Sequence, residues 1–293
     1  MSDDTINTSG RLTVLAPLGF AMHEAFGYVG TYFRAARLPL AIVFVLALLT
    51  PFLSPYILDR ELFTIGHRVG WIPTEMRVTV HTLVFELVFL LPMTPALAIW
   101  LRMGVEGRGQ AQRETSFPFG GREIRLLIAL ILTGVVLSVG MALLATTVFD
   151  GVRALGRDAQ WLAVPAMILS LAAFGYVLSH FIPAVVGSAL GDRIGIGRSW
   201  RLARGSGIIV VLAFIMFVIV CLLIFALFGF VVTALGFLLA DVLGLGFGFD
   251  PSSGSYWAYL IFFTALGVFV EFFSTLMGCL FFARIYQSMR PGM

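Results

Sequence analysis

The sequence predicts an all-α fold, a polytopic membrane bundle of six transmembrane helices with amphipathic interfacial arms. Three observations predict it. Hydrophobic residues make up 59% of the 293 positions and charged residues 12%, more apolar sequence than a soluble interior of this size can take up. Several apolar runs exceed the roughly 18 residues that mark a membrane-crossing helix. The basic residues, which are all arginine, cluster in alternate loops.

Residues 1–19 read as a disordered cytoplasmic N-terminus. Its first ten residues, MSDDTINTSG, are polar and acidic, without the basic region of a signal peptide. Residues 20–293 read as one six-helix membrane domain. From Phe20 to Arg37 the residues Met22, Phe26, Val29, Phe33 and Ala36 fall on one helical stripe, with His23, Glu24, Thr31 and Arg34 off it. That pattern predicts a helix lying in the membrane interface.

The spans follow at 38–58, 80–101, 124–149, 161–190, 207–240 and 256–286. Pro51 and Pro55 bend the far end of the first, and Pro92 and Pro95 kink the second. Gly134, Ser138 and Ala142 offer the third a small-residue packing face. Gly175, Ser179, Pro183, Gly187 and Gly191 do the same for the fourth. The loop 59–79 holds Trp71 and Pro73. Residues 104–121 are a polar connector, and an Asp250-Pro251-Ser252-Ser253-Gly254 turn precedes the last span.

An Arg-x-x-Arg pair stands at the entry to three spans: Arg34/Arg37, Arg122/Arg125 and Arg201/Arg204, at spacings of 88 and 79 residues. The recurrence reads as a threefold repeat of one arm plus one helical hairpin. Arg60, Arg68, Arg77, Arg153 and Arg157 fall on one side of this scheme, which leaves fourteen of the nineteen arginines on the side of the termini. By the positive-inside rule both termini are cytoplasmic. Tyr56, Trp71, Trp161, Tyr256 and Trp257 outside, and Trp100, Trp200 and Tyr286 inside, are expected as interfacial anchors.

Two sets of residues are candidates for function. His81, Glu86, His180 and Glu271 are ionisable residues within spans, and a charge at mid-bilayer costs about 2.5–3.5 kcal/mol on insertion scales. They read either as an intramembrane polar site able to carry protons or meet a cationic substrate, or as neutral groups that fix helix packing. The six arm arginines, Arg34, Arg37, Arg122, Arg125, Arg201 and Arg204, share helix faces in pairs at headgroup level. They read either as contacts to anionic lipid phosphates, at about 1 kcal/mol each, or as topology signals only. Cys221 and Cys279 lie inside apolar runs and read as small core residues. No HExxH or CxxC spacing occurs, and Gly205-Ser206-Gly207 is a turn rather than a nucleophile elbow. No catalytic residue, metal or cofactor is expected, and the basic balance belongs to loops beside the membrane rather than to nucleic-acid binding.

One stretch resembles a known group. Ile182-Pro183-Ala184, Leu190-Gly191-Asp192-Arg193 and Arg198-Ser199-Trp200-Arg201-Leu202-Ala203-Arg204-Gly205 are similar to a pattern in bacterial six-span YciC-type inner-membrane proteins. The same pattern occurs in the membrane domain fused to some glycerophosphodiester phosphodiesterases. There, a proline-containing span ends in a short loop and a serine–aromatic helix leads into the next span. The resemblance implies a bacterial inner-membrane location; no phosphodiesterase domain is attached in this sequence, so that activity is not carried over. The expected role is non-enzymatic, in membrane organisation or as a subunit or partner of a membrane complex. Its expected partners are the lipid bilayer with its anionic lipids, and a membrane protein or a second copy of the chain. The alternative is a small transporter or channel-like protein built on Glu86, His180 and Glu271.

Overall fold

A computed structural model describes residues 13–57, 74–111, 119–154, 161–192, 194–242 and 254–290, with the side chains of part of the outer helix segments left aside. The expectations for residues 1–12, for the loop 58–73, for the connector at 112–118, for Arg157 and for the turn at 250–253 lie outside the described residues. Among the described residues nine helices make up the fold and no strand occurs. In order they are α1 (Ala16–Ala35), α2 (Arg37–Ile57), α3 (Thr74–Glu106), α4 (Arg108–Ala111), α5 (Gly121–Ala154), α6 (Ala163–Leu190), α7 (Ile196–Ala203), α8 (Gly207–Val242) and α9 (Gly254–Met289).

The helices α2, α3, α5, α6, α8 and α9 coincide with the six predicted spans, within a few residues at most ends. Four contain stretches long and apolar enough to cross a membrane: Val88–Glu106, Ile168–Leu190, Gly207–Val231 and Thr264–Met289. The bent pair Ala16–Ala35 and Arg37–Leu49 makes a fifth if taken as one span. Gly207–Val231 is the most apolar, with a mean hydropathy of 3.6. Its Leu223, Phe225 and Val231 are exposed on different faces, as suits a helix solvated by hydrocarbon.

The helices are long. α3, α5, α8 and α9 have 33, 34, 36 and 36 residues, about 50–54 Å at 1.5 Å per residue. A bilayer's hydrocarbon core is about 30 Å thick, so each is longer than a single perpendicular crossing needs. The buried core lies toward one end of the bundle. It takes Ala96–Met103 from α3, Phe181–Ala189 from α6 and the segment from Val268 onward from α9.

Cross-chain contacts identify that end. Trp100 Nε1 donates to the Tyr32 carbonyl at 3.0 Å, and Gln287 Nε2 donates to the Val105 carbonyl at 2.8 Å. The Tyr286 hydroxyl donates to Asp192 at 3.0 Å. The starts of α2 and α5 and the ends of α3, α6 and α9 therefore meet at one end, the end that carries the arms. Gly104 allows the closest of these approaches: a Cβ there would lie 2.7 Å from the Ala283 Cβ of α9.

The arms themselves are not alike. The first is the last turn of α1, which breaks at Ala36 and meets the axis of α2 at 89°. That angle fits the expected interfacial helix, but the buried stripe is displaced by about one residue. Leu18, Ala21, Ala25 and Tyr32 are buried with Ala36, whereas Phe26 is exposed. The cause is the surface that α1 rests on. It packs against α9, where the alanines allow close approach, and Phe26 and Phe33 lean on Phe273 and Phe269 from the side. The second arm is no separate element: Arg122 and Arg125 belong to the first two turns of α5, whose start is held by the Gly120 N–H donating to Glu123 Oε2 at 3.0 Å. Only the third, α7, is a free-standing helix.

Two expected anchors are core residues instead. Trp100 has no exposed surface and Tyr286 is 1% exposed, because these parts of α3 and α9 pack on protein. Trp161 and Trp200 are exposed as expected. A Cβ added at Gly134 would meet nothing within 4 Å, so the predicted packing face of the third span is open there. The fourth-span seam does pack: a Cβ at Gly187 would lie 2.5 Å from Ile194, and one at Gly175 would lie 3.2 Å from Phe214.

Candidate functional site

The chain between α6 and α8 doubles back. α6 ends at Gly191, which is left-handed (φ 88°). The Asp192 N–H donates to the Gly187 carbonyl at 2.8 Å and the Gly191 N–H to the Ser188 carbonyl at 3.2 Å, a paired closure that needs a residue free to take positive φ. Ile194 then rests on Gly187, Trp200 on His180, and Gly207 on Tyr176. Tyr176 lies fourteen residues before the end of α6, so α8 starts about 21 Å back along α6.

Pro183 makes this seating specific. A proline inside a helix has no N–H for the carbonyl four residues earlier, and its ring crowds that turn. The Ala184 N–H, next in line, donates to Ser199 Oγ at 3.0 Å, and the Ser199 hydroxyl in turn donates to the His180 carbonyl. A side chain from α7 thus bridges the N–H and the carbonyl on either side of Pro183 in α6. Ser199 is fully buried and both of its hydrogen-bonding roles are taken.

His180 completes the clasp. It is buried, its ring stacks on Trp200 at 4.0 Å between centroids, and Tyr176 lies at 4.7 Å. Nδ1 is 2.8 Å from the Tyr176 carbonyl. A carbonyl only accepts, so the proton is assigned to Nδ1 and a neutral ring keeps Nε2 as acceptor. The Ser179 hydroxyl donates to the same carbonyl at 2.6 Å. His180 is therefore held by ring contacts and a backbone bond.

The other members of the expected polar site are elsewhere. Glu271 is exposed on α9, between the buried Val270 and Phe272. Among the described residues no hydrogen bond or ion pair joins it to His180. His81 and Glu86 fall on α3, and their side chains lie outside the described residues. Of the arm arginines, Arg34, Arg37, Arg122, Arg201 and Arg204 are exposed and Arg125 is half-buried.

A polar layer that the sequence pattern does not single out ties the helix ends together. Arg102 of α3 and Glu123 of α5 are both buried, with 3.6 Å between Nη2 and Oε1. Arg102 Nε also donates to the Ala98 carbonyl at 3.2 Å. Asp192 takes the Tyr286 hydroxyl and stands 3.6 Å from Arg290 Nη1. The Tyr32 hydroxyl donates to Glu24 Oε2 at 2.9 Å, and Arg108 Nε lies 3.5 Å from that oxygen with its guanidinium over the Tyr28 ring at 3.3 Å. The sequence carries one signal for Arg102: it follows an apolar run without a break, where an unpaired charge is costly.

One concavity, about 680 Å³, is an open groove between α5, α6 and the approach to α7. Arg125, Ile128, Leu132, Phe181, Ser188 and Asp192 are among its lining residues. Among the described residues, neither His180 nor Glu271 lines it. No group of three or more His, Cys, Asp or Glu placed to hold a metal occurs among the described residues. Cys221 and Cys279 are free thiols. A scan against protein-family models and searches of curated proteins and of solved structures find no match to this chain.

Proposed function

We propose that the chain is a six-span integral protein of a bacterial inner membrane, with both termini cytoplasmic. Its role is non-enzymatic: it organises the membrane locally, or serves as a subunit of a larger membrane complex, through the basic end of the bundle. The observation that carries this reading is the gathering of α2 and α5 starts and α3, α6 and α9 ends at one end, held by buried polar contacts and rimmed by exposed arginines. The YciC-type resemblance supports the same reading, since two residues of the resembling stretch, Pro183 and Ser199, belong to one clasp. The threefold repeat survives in this proposal as hairpin topology, because the arms differ in form. A transporter would bring Glu86, His180 and Glu271 onto one cavity, and among the described residues the groove lining includes neither His180 nor Glu271.

The test is sided labelling. In a background lacking Cys221 and Cys279, single cysteines at Arg34, Arg122 and Arg201 should react with a membrane-impermeant maleimide in inverted vesicles and stay silent in spheroplasts. A cysteine at Trp161 should do the reverse. Labelling of the three arm positions from opposite sides would overturn the topology.

A further inference from the structure

We propose that the groove between α5, α6 and the approach to α7 binds one anionic phospholipid, its phosphate at the Arg125 guanidinium and an acyl chain along Ile128, Leu132 and Phe181. The inference rests on the membrane placement proposed above and names the ligand of one arm.

Arg125 is the arm arginine that differs from the rest. It is half-buried, and its Nε is a buried donor with no hydrogen-bond partner. A buried donor left unpaired costs on the order of 1–3 kcal/mol, more when charged. An anion seated in the groove supplies the missing acceptor when the guanidinium turns toward it, since Nε itself has no open surface in this arrangement. The groove also includes Gly195 and Ile196 at the start of α7, where no side-chain cap is made and helix geometry gives the first backbone N–H groups no carbonyl of the helix to bond. These two features are independent, and both favour negative charge.

One carboxylate, Asp192, shares the lining. It is already engaged by the Tyr286 hydroxyl at 3.0 Å and faces Arg290 at 3.6 Å, so it turns its charge toward α9 rather than toward Arg125. The remaining wall is mostly apolar. Ile128 and Leu132 follow Arg125 along α5 and are about half exposed, at 51% and 48%. From Arg125 to Leu132 is about 10 Å along the helix, the reach of a hydrocarbon chain running from a phosphate toward the bilayer interior. Thr133, Ser188 and Ala184 close the floor. The hydroxyls of Thr133 and Ser188 donate to their own helices, at the Ala129 and Ala184 carbonyls, so the floor offers a chain no unpaired hydroxyl donor. Charge at one end and a greasy track leading away from it match an amphiphile.

The test is native mass spectrometry of the full chain in detergent, titrated with phosphatidylglycerol, phosphatidylcholine or inorganic phosphate. The wild type should keep one phosphatidylglycerol adduct. Arg125→Gln should weaken it about fivefold, Ile128→Trp should remove it by filling the track, and Arg201→Gln should leave it unchanged. All three should retain the wild-type unfolding midpoint. Equal retention of phosphatidylcholine, displacement by inorganic phosphate at matching concentration, or an adduct indifferent to both groove variants would overturn the proposal. Sided labelling reads orientation and this experiment reads the adduct, so each can fail without the other.

Discussion

The Ser199 hydroxyl donates to the His180 carbonyl across nineteen residues of chain and accepts from the Ala184 N–H, bridging the two beside Pro183. Ser199→Ala removes both bonds from a buried site. The expected cost is about 1–2 kcal/mol, the upper range for hydrogen bonds between membrane helices, read by denaturant titration in detergent. The double variant Pro183→Ala/Ser199→Ala should lose less than the sum of the singles, because both substitutions act on the same turn of α6. Strict additivity would sink the account of the clasp.

The pairing of Arg102 with Glu123 gives a second expectation. Arg102→Leu strands the Glu123 carboxylate in the core and should destabilise the chain by about 3–5 kcal/mol. Arg102→Leu/Glu123→Leu should recover most of that loss, since neither charge is then buried alone. If the double variant is as unstable as the single one, the pair is not what holds α3 to α5.

Close approach at Gly104 is tested by one methyl group. A Cβ there would sit 2.7 Å from the Ala283 Cβ, and neither partner is a flexible side chain. Gly104→Ala should force α3 from α9 at a cost of about 1–3 kcal/mol. Gly134→Ala, with nothing within 4 Å, should change stability by no more than a few tenths. Equal effects at the two sites would contradict the packing described.

The ionisable residues separate in the same way. Glu271→Gln should leave the unfolding midpoint where it is, within about 0.5 kcal/mol, because the side chain is exposed. The Ser274 hydroxyl bonds this residue at its backbone carbonyl, which the substitution leaves in place. His180→Ala should cost at least about 1 kcal/mol by removing the ring's contacts with Trp200 and Tyr176, and should alter Trp200 fluorescence. A Glu271→Gln variant that fails to fold would show a structural partner for that carboxylate.

The arithmetic of apolar run lengths marks where long helices form, four of them with stretches apolar enough to cross a membrane, because in hydrocarbon a backbone has no acceptor but its own helix. The placing of arginines in alternate loops foreshadows which helix ends gather together. The Pro183 and Ser199 stretches are visible in the sequence as neighbouring features, without the contact between them. What sequence spacing does not supply is the surface each helix meets. Periodicity gives α1 a lipid-like stripe of Met22, Phe26 and Phe33, yet it buries Ala21 and Ala25, since small residues win where a helix lies on protein. Trp100 has the sequence position of a boundary anchor and is core, since α3 packs on α1 and α9 there. Arg102 and Glu123 are 21 positions apart in sequence, and Asp192 and Tyr286 are 94 apart; only packing of the helices brings them together. Periodicity is a property of one helix, whereas a partner for a buried charge is a property of two.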